Sequence, residues 1–156
     1  MNGRAHSRLG VVALTLALAT AGRSAADGSE SVQLDYGAVR EYADKYYSAY
    51  RDRYGFALRV QQMLKACDLE QLAVQIDGDV PKAAIFAAEQ FAADRKSTPS
   101  DPATHEMSTA VALETQRLTE GYELAYLQAF KDAAKANSAC VGVSKVYDTY
   151  LQAKGK

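Results

Sequence analysis

Apolar residues recur every three or four positions along most of the chain, a pattern typical of amphipathic α-helices. The first such segment runs from Asp35 to about Ala66. On a helical wheel its apolar positions fall within an arc of about 120°, as expected for a helix that turns one face to a core. These positions are Val39, Tyr42, Ala43, Tyr46, Tyr50, Tyr54, Ala57, Val60 and Leu64.

Helical periodicity returns in four later segments. We predict a short helix from Leu69 to about Ile76, a third helix from Pro81 to about Lys96, a long fourth helix from Thr104 to about Asn137, and a last helix after Ser138. The expected inward positions of the last three are Ala84, Ile85, Ala88, Phe91 and Ala92; Met107, Val111, Leu118, Tyr122, Ala125, Ala129 and Phe130; and Cys140, Val143, Tyr147 and Leu151.

Alternation of apolar and polar residues, the mark of β-strands, is nearly absent. The fold class predicted is therefore all-α: a small bundle of four to five helices, with the two long helices packed antiparallel at its centre. Gly121 lies at the edge of the fourth helix's apolar stripe, where a missing side chain would let another helix approach closely. A length of 156 residues favours a single domain over residues 35–156.

The amino-terminal segment has the features of a secretory signal peptide. Arg4 and Arg8 precede an apolar run from Leu9 to Ala21, and residues 1–26 contain no acidic side chain. As a helix this run spans roughly 20 Å, too short for a hydrocarbon core of about 30 Å. Small residues favour cleavage after Ala26, with Ala21 as the alternative, and leave a flexible amino terminus at residues 27–34.

Export changes the interpretation of the two cysteines, Cys67 and Cys140. In an oxidising compartment an isolated pair of this kind forms a structural disulfide. Closing a loop of about 73 residues would stabilise the fold by roughly 4 kcal/mol. A redox or metal role lacks support, because the chain has no Cys-x-x-Cys motif and no histidine beside either cysteine.

Charge excludes some classes of partner. The whole chain has a formal net charge of −1, and removal of residues 1–26 leaves 15 basic and 19 acidic residues, a charge of −4. Such a chain lacks the basic footprint of nucleic-acid-binding proteins, and no second apolar run approaches membrane-spanning length. We expect no nucleic-acid partner and no stable membrane insertion.

Tyrosine is the most unusual feature of the composition. Six of the ten tyrosines lie between Tyr36 and Tyr54, most of them at core positions of the first helix. Tyr47 lies off that stripe, one helical turn from Arg51, and both types are enriched in interface hot spots. Tyr47 and Arg51 are therefore the candidate binding residues, for a protein partner or for a sugar or carboxylate ligand.

Catalytic and metal motifs are not found. His105 is followed by Glu106 and Thr109, which give no ligand face at i+4, and the Asp77-Gly78-Asp79 turn stops short of a calcium loop because Val80, Pro81 and Lys82 follow it. The sequence contains no Gly-x-Ser-x-Gly elbow, phosphate loop or haem-attachment motif. We predict no catalytic residue, no metal site and no cofactor.

The favoured hypothesis is an exported, non-enzymatic helical protein, periplasmic or secreted, that binds another envelope or secreted protein as an interaction or accessory module. The first alternative is a carrier of a small ligand in a tyrosine-lined cavity between helices. The last is a hydrolase built around His105.

Overall fold

A computed structural model describes residues 34–98, 102 and 104–155, all within one compact unit. The signal peptide at residues 1–26 and nearly all of the expected flexible amino terminus lie outside the described residues. In the described part every regular element is helical. The elements are α1 Tyr36–Ala66, α2 Glu70–Asp77, α3 Ala83–Arg95, α4 His105–Asn137, a 3₁₀ turn Ala139–Gly142, and α5 Val143–Lys154.

Local chemistry accounts for the helix ends. Asp35 caps α1, since its Oδ1 accepts hydrogen bonds from the backbone N–H groups of Gly37 at 2.9 Å and Ala38 at 3.2 Å. Left-handed residues follow the helical runs of α1, α3 and α4, namely Asp68, Lys96 and Ser138, with φ between 51° and 57°. Asp68 therefore belongs to the turn between α1 and α2.

The order of side-chain contacts gives the direction of α3 relative to α1. Tyr42, early in α1, packs edge-on against Phe91, late in α3, with ring centroids 5.2 Å apart. Tyr50, farther along α1, contacts Phe86, earlier in α3, at 5.4 Å. The pairing runs in opposite senses, so α1 and α3 are antiparallel.

The order of contacts between α3 and α4 gives the direction of α4 in the same way. Phe91, late in α3, shares a core cluster with Val111, early in α4, whereas the N–H of Ala84, at the start of α3, donates to Gln116, farther along α4, at 3.1 Å. Helix α4 is therefore antiparallel to α3 and parallel to α1. The disulfide Cys67–Cys140 agrees, because it joins the carboxyl ends of α1 and α4 with Cα atoms 5.7 Å apart.

The all-α bundle and its disulfide are confirmed, but the prediction that the two long helices are antiparallel is wrong. The connection between them contains α3, which runs back along α1. Because α3 reverses the direction of the chain and α4 reverses it again, α4 runs in the same direction as α1. Sequence periodicity identifies the faces of helices but not their directions.

Distances between spin labels test the parallel arrangement. We expect labels at Glu41→Cys and Leu113→Cys to lie close together, because both sites are near the amino ends of their helices. Labels at Glu41→Cys and Lys131→Cys should lie about 20 Å or more farther apart, since 18 residues of α4 rise about 27 Å. An antiparallel pair would give the opposite order in pulsed electron paramagnetic resonance on the oxidised protein.

The apolar core continues from the long helices into the carboxyl end of the bundle. There α5 packs its buried Val143, Tyr147 and Tyr150 against Val60 and Leu64 of α1. Leu151, expected on this face, is instead exposed, and Tyr150 takes the inward position. The disulfide lies beside this cluster, where Cys67 is packed against it.

Several expected inward positions of α3 and α4 are also wrong. Ile85 is half exposed, and the neighbouring Phe86 is buried instead. Gly121 is exposed, with open space where a side chain would lie, so it does not mark a close helix approach. Ala125 and Ala129 are exposed as well.

Helix α4 turns small polar residues inward. Ser108, Thr115 and Thr119 are all buried. The hydroxyl of Thr115 donates to the carbonyl of Val111 at 2.8 Å, and that of Thr119 to the carbonyl of Thr115 at 2.9 Å. Because each threonine satisfies its hydroxyl within its own helix, it can be buried without a partner from another element. Hydrophobic periodicity treats these positions as polar, so the buried face that it predicts for α4 is rotated away from the face that is buried in the structure.

Two lysine–aspartate–tyrosine clusters tie distant elements together. Asp94 on α3 accepts hydrogen bonds from Lys45 at 2.6 Å and from the buried Tyr46 at 2.7 Å. Asp79, between α2 and α3, accepts from Lys154 at 2.5 Å and from Tyr150 at 2.7 Å. The lysine, followed by the tyrosine, holds the pKa of each carboxyl below its usual value of 3.8.

These carboxylates should make the fold sensitive to acid. Because their folded pKa values lie below the unfolded ones, their stabilisation is present above the unfolded value of about 4 and is lost as pH falls through the folded values. We expect Asp79→Asn and Asp94→Asn to lower stability at pH 7, with the difference from the parent chain shrinking below about pH 4. Urea unfolding at several pH values measures this.

Asp132→Asn is the matched control, since Asp132 is exposed on α4 and accepts only from Gln128 of its own helix at 3.0 Å. A loss of stability in the Asp79 and Asp94 variants that is the same at pH 3 as at pH 7 would contradict the role assigned to the two carboxylates.

None of the helices in the described part of the chain has an apolar stretch long enough to cross a membrane.

Candidate functional site

The two candidate residues, Tyr47 and Arg51, lie where α1 meets α4. Tyr47 is half-buried and Arg51 is exposed. The Arg51 guanidinium carbon lies 5.6 Å from the centre of the Tyr47 ring and 4.9 Å from the centre of the Tyr122 ring on α4. The structure therefore adds a third residue to the pair and holds the arginine between two aromatic rings.

An aromatic row continues along α4 from this point. Tyr122, Tyr126 and Phe130 follow one another at one-turn intervals, with ring centroids 6.3 Å and 6.5 Å apart. Burial raises the pKa of Tyr126, and the nearby positive charge of Arg59 opposes that rise. Arg59, two helical turns beyond Arg51 on α1, is therefore near enough for its charge to act on the Tyr126 hydroxyl.

In the other direction, towards the amino ends of α1 and α4, the surface opens into a groove of 470 Å³. Its α1 wall includes Tyr36 and Arg40, and its α4 wall includes Leu113, Glu114 and Arg117. Tyr36 is 77% exposed and Leu113 is 64% exposed, so the groove presents large apolar groups to solvent. Such contiguous exposed apolar surface is typical of binding sites.

These features lie at successive levels along the line where α1 meets α4, which we call the α1–α4 seam. The α1 residues Tyr36, Arg40, Tyr47 and Arg51 recur at intervals of four and seven and therefore share one side of that helix. The seam comprises Tyr36, Arg40, Tyr47, Arg51 and Arg59 on α1 and Leu113, Glu114, Arg117, Tyr122 and Tyr126 on α4.

Positive charge is concentrated on the seam. Four of the six arginines in the described part of the chain lie there, against two carboxylates: Glu114 on α4, and the exposed Asp44, which shares the side of α1 that carries Arg40 and Arg51. Glu114 is already held by Arg117, whose Nη2 and Nε donate to it at 2.6 Å and 2.8 Å, and this fork lowers the pKa of Glu114. No described carboxylate lies within 4 Å of the guanidinium groups of Arg40, Arg51 or Arg59. The seam is a basic surface on a chain whose overall charge is negative.

Four of the six tyrosines outside the seam are buried in the core. Their hydroxyls donate to acceptors inside the protein: Tyr46 to Asp94, Tyr50 to the carbonyl of Pro81, Tyr147 to Gln75 and Tyr150 to Asp79, all between 2.6 Å and 2.7 Å. Burial, aided by the Asp79 carboxylate, raises the pKa of Tyr150 to about 12. These side chains are structural, which agrees with the core interpretation of the tyrosine stripe.

His105 begins α4 and borders an open groove that includes Leu34, Glu106 and Leu113. Across the described ranges, no three side chains of His, Cys, Asp or Glu come together as a set of metal ligands.

The sequence does not identify Tyr122, or the seam arginines other than Arg51, as site residues. Tyr122 was assigned to the core stripe of α4, where it is in fact half-buried. Arg40 shares one side of α1 with Tyr36, Tyr47 and Arg51, and that signal becomes informative only once α4 is known to lie alongside.

Comparison with known protein families, with characterised proteins and with solved structures finds no match.

A double-mutant cycle tests the bridge between α1 and α4. We expect Arg51→Ala and Tyr122→Leu to show a coupling free energy of about 0.5–1 kcal/mol in urea unfolding, because each removes the same exposed cation–π contact. The control replaces Arg53, which contacts Tyr54 within α1 at 5.4 Å, so Arg53→Ala with Tyr122→Leu should be additive. Additivity in the Arg51 cycle would show that the contact contributes nothing to the fold.

Proposed function

We propose that this protein is an exported, non-enzymatic interaction module that binds an acidic surface of another envelope or secreted protein through the α1–α4 seam. The observation that carries the proposal is Arg51, held at the surface between Tyr47 and Tyr122 with no described carboxylate within 4 Å.

An arginine placed in this way is suited to recognition. The guanidinium stays charged at all physiological pH values and presents its N–H donors as a planar fork that matches a carboxylate. The two tyrosine rings restrict the arginine before binding, which lowers the entropy lost when a partner is captured. Tyrosine and arginine dominate interface hot spots for these reasons.

Neighbouring features support a protein partner. The groove at the amino ends of the two helices adds exposed apolar groups, Tyr36 and Leu113, to the basic residues. An interface needs both an apolar centre and charges that select the partner. Since the free charges of the seam are positive, the complementary surface is acidic.

The proposed location, periplasmic or secreted, is supported by the sequence of residues 1–26 and by the disulfide between Cys67 and Cys140.

The two alternatives have less support. The hydroxyls of the four buried tyrosines already donate to acceptors inside the protein, so they are not available to a ligand in a tyrosine-lined cavity. For a hydrolase, His105 borders an open groove whose other lining residues are Leu34, Glu106, Thr109, Ala110 and Leu113. This set of residues does not indicate a particular hydrolytic reaction.

Site-specific photocrosslinking in the cells that make this protein tests the proposal. We expect a photoreactive phenylalanine analogue at Leu113, on the seam, to capture a discrete envelope or secreted protein. The same analogue at Val74, which is equally apolar and 63% exposed on α2, is the control and should not capture it. The captured protein is then purified for a direct measurement of affinity.

Arg51→Ala should weaken that affinity by about 30-fold, the loss typical of a 2 kcal/mol hot spot, while Arg53→Ala should leave it unchanged. Equal binding by the Arg51 variant, or equal crosslinking from Val74, would overturn the proposal. Melting curves of both variants exclude unfolding as the cause of any loss.

A further inference from the structure

The second half of α4 is less covered by the bundle than the first. Helix α3 starts beside Gln116, where the N–H of Ala84 donates to the Gln116 side chain, and runs from there towards the amino end of α4. The later turns of α4 therefore lie past the start of α3. After Thr119 no described residue of α4 is buried.

The surface of α4 that points away from the bundle forms one continuous face. Its residues fall within an arc of about 100° on a helical wheel, on the opposite side of the helix from the buried Thr115 and Thr119. All of them are exposed except Glu114, which is half-buried. This outward face comprises Glu114, Arg117, Gly121, Leu124, Gln128, Lys131, Asp132 and Lys135.

The middle of the outward face is apolar and uncrowded. Leu124 is 67% exposed. Gly121, one turn earlier, has no neighbouring atom within 4 Å of the place where a side chain would begin. An apolar centre with charged residues on both sides is the usual layout of a protein interface.

The charges on the two sides of Leu124 are complementary when one copy of the face is reversed. Arg117 lies seven residues before Leu124 and Asp132 lies eight residues after it. Glu114 lies ten residues before Leu124 and Lys135 lies eleven residues after it. In an antiparallel pair centred on Leu124, Arg117 therefore meets Asp132 of the second copy, and Glu114 meets Lys135, with levels that differ by about 1.5 Å.

Symmetry then repeats each of these contacts. A two-fold axis at Leu124 gives two Arg117–Asp132 pairs and two Glu114–Lys135 pairs. A parallel pair would instead place each charge beside its own copy, and like charges at an interface repel. The order of charges along α4 therefore favours the antiparallel pair.

These charges are available to a second copy. In the part of the chain that the structure describes, Lys131, Asp132 and Lys135 take part in no salt bridge within 4 Å. Arg117 donates to Glu114 through Nε and Nη2, which leaves further N–H donors of its guanidinium for another carboxylate. Association would require no existing ion pair to break.

We propose that two copies of this protein associate through the outward face of α4, antiparallel and about a two-fold axis at Leu124. The contact is limited to one face of one helix, so the association is weak and depends on protein concentration. The proposal does not rest on the binding role of the seam. The seam shares Glu114 and Arg117 with this face, but Arg51 and Tyr122 lie outside it.

Sedimentation velocity of the purified, oxidised protein between about 5 and about 500 μM tests the association. We expect the mass to rise towards that of a dimer. Leu124→Glu should weaken dimerisation at least about tenfold, because it brings two carboxylates together at the axis. Val74→Glu makes a comparable change on α2, at a residue that is 63% exposed, and should have no effect.

Charge reversal tests the antiparallel register. Arg117→Asp alone and Asp132→Arg alone should each weaken dimerisation at least about tenfold, since like charges then meet at two places. An equimolar mixture of the two variants should recover dimerisation, because each reversed charge meets its opposite in the mixed pair. A parallel pair does not give this recovery.

Three results would overturn the proposal: a chain that stays monomeric at the highest concentration, equal dimerisation of the Leu124→Glu variant, or a mixture that associates no more tightly than its components. Recovery in the mixture also excludes misfolding as the cause of the weaker association, and melting curves check the Leu124 and Val74 variants.

Discussion

Parallel packing of α1 against α4, with their carboxyl ends joined by the Cys67–Cys140 disulfide, is the constraint on which the other features depend. Helix α3 makes the arrangement possible, because it returns the chain along α1 before α4 begins. The disulfide then fixes which turns of the two long helices face each other. A cross-link across 73 residues also restricts the unfolded chain, so it stabilises the fold as well as aligning it.

This alignment creates two different environments along the same helix pair. On the outside, Arg51 of α1 lies between Tyr47 of its own helix and Tyr122 of α4. On the inside, glutamines and carboxylates border a small polar space that includes Glu123. An antiparallel pair would match each arginine with a different part of α4 and would form neither surface. The binding surface proposed for the seam therefore depends on the direction of α4 relative to α1.

Polar groups in the interior are accommodated by specific partners. Thr115 and Thr119 donate to carbonyls of their own helix, whereas Tyr46 and Tyr150 donate to aspartates on other elements. No buried side-chain nitrogen or oxygen in the described part of the chain lacks a hydrogen-bond partner. Each tyrosine thus contributes a large apolar ring to the core and a directional contact at its rim, which explains how so many tyrosines fit in a small bundle without tryptophan.

The sequence by itself determined the helical class, the approximate ends of α1, α2, α3 and α4, and the disulfide, because these follow from local periodicity, turn residues and the pairing of two cysteines. Only the tertiary structure decided the direction of the long helices, the inward rotation of α4 about Thr115 and Thr119, and the meeting of Arg51 with Tyr122. These depend on which helices become neighbours. Periodicity reports that a face is buried, but the residues that cover it come from distant parts of the chain.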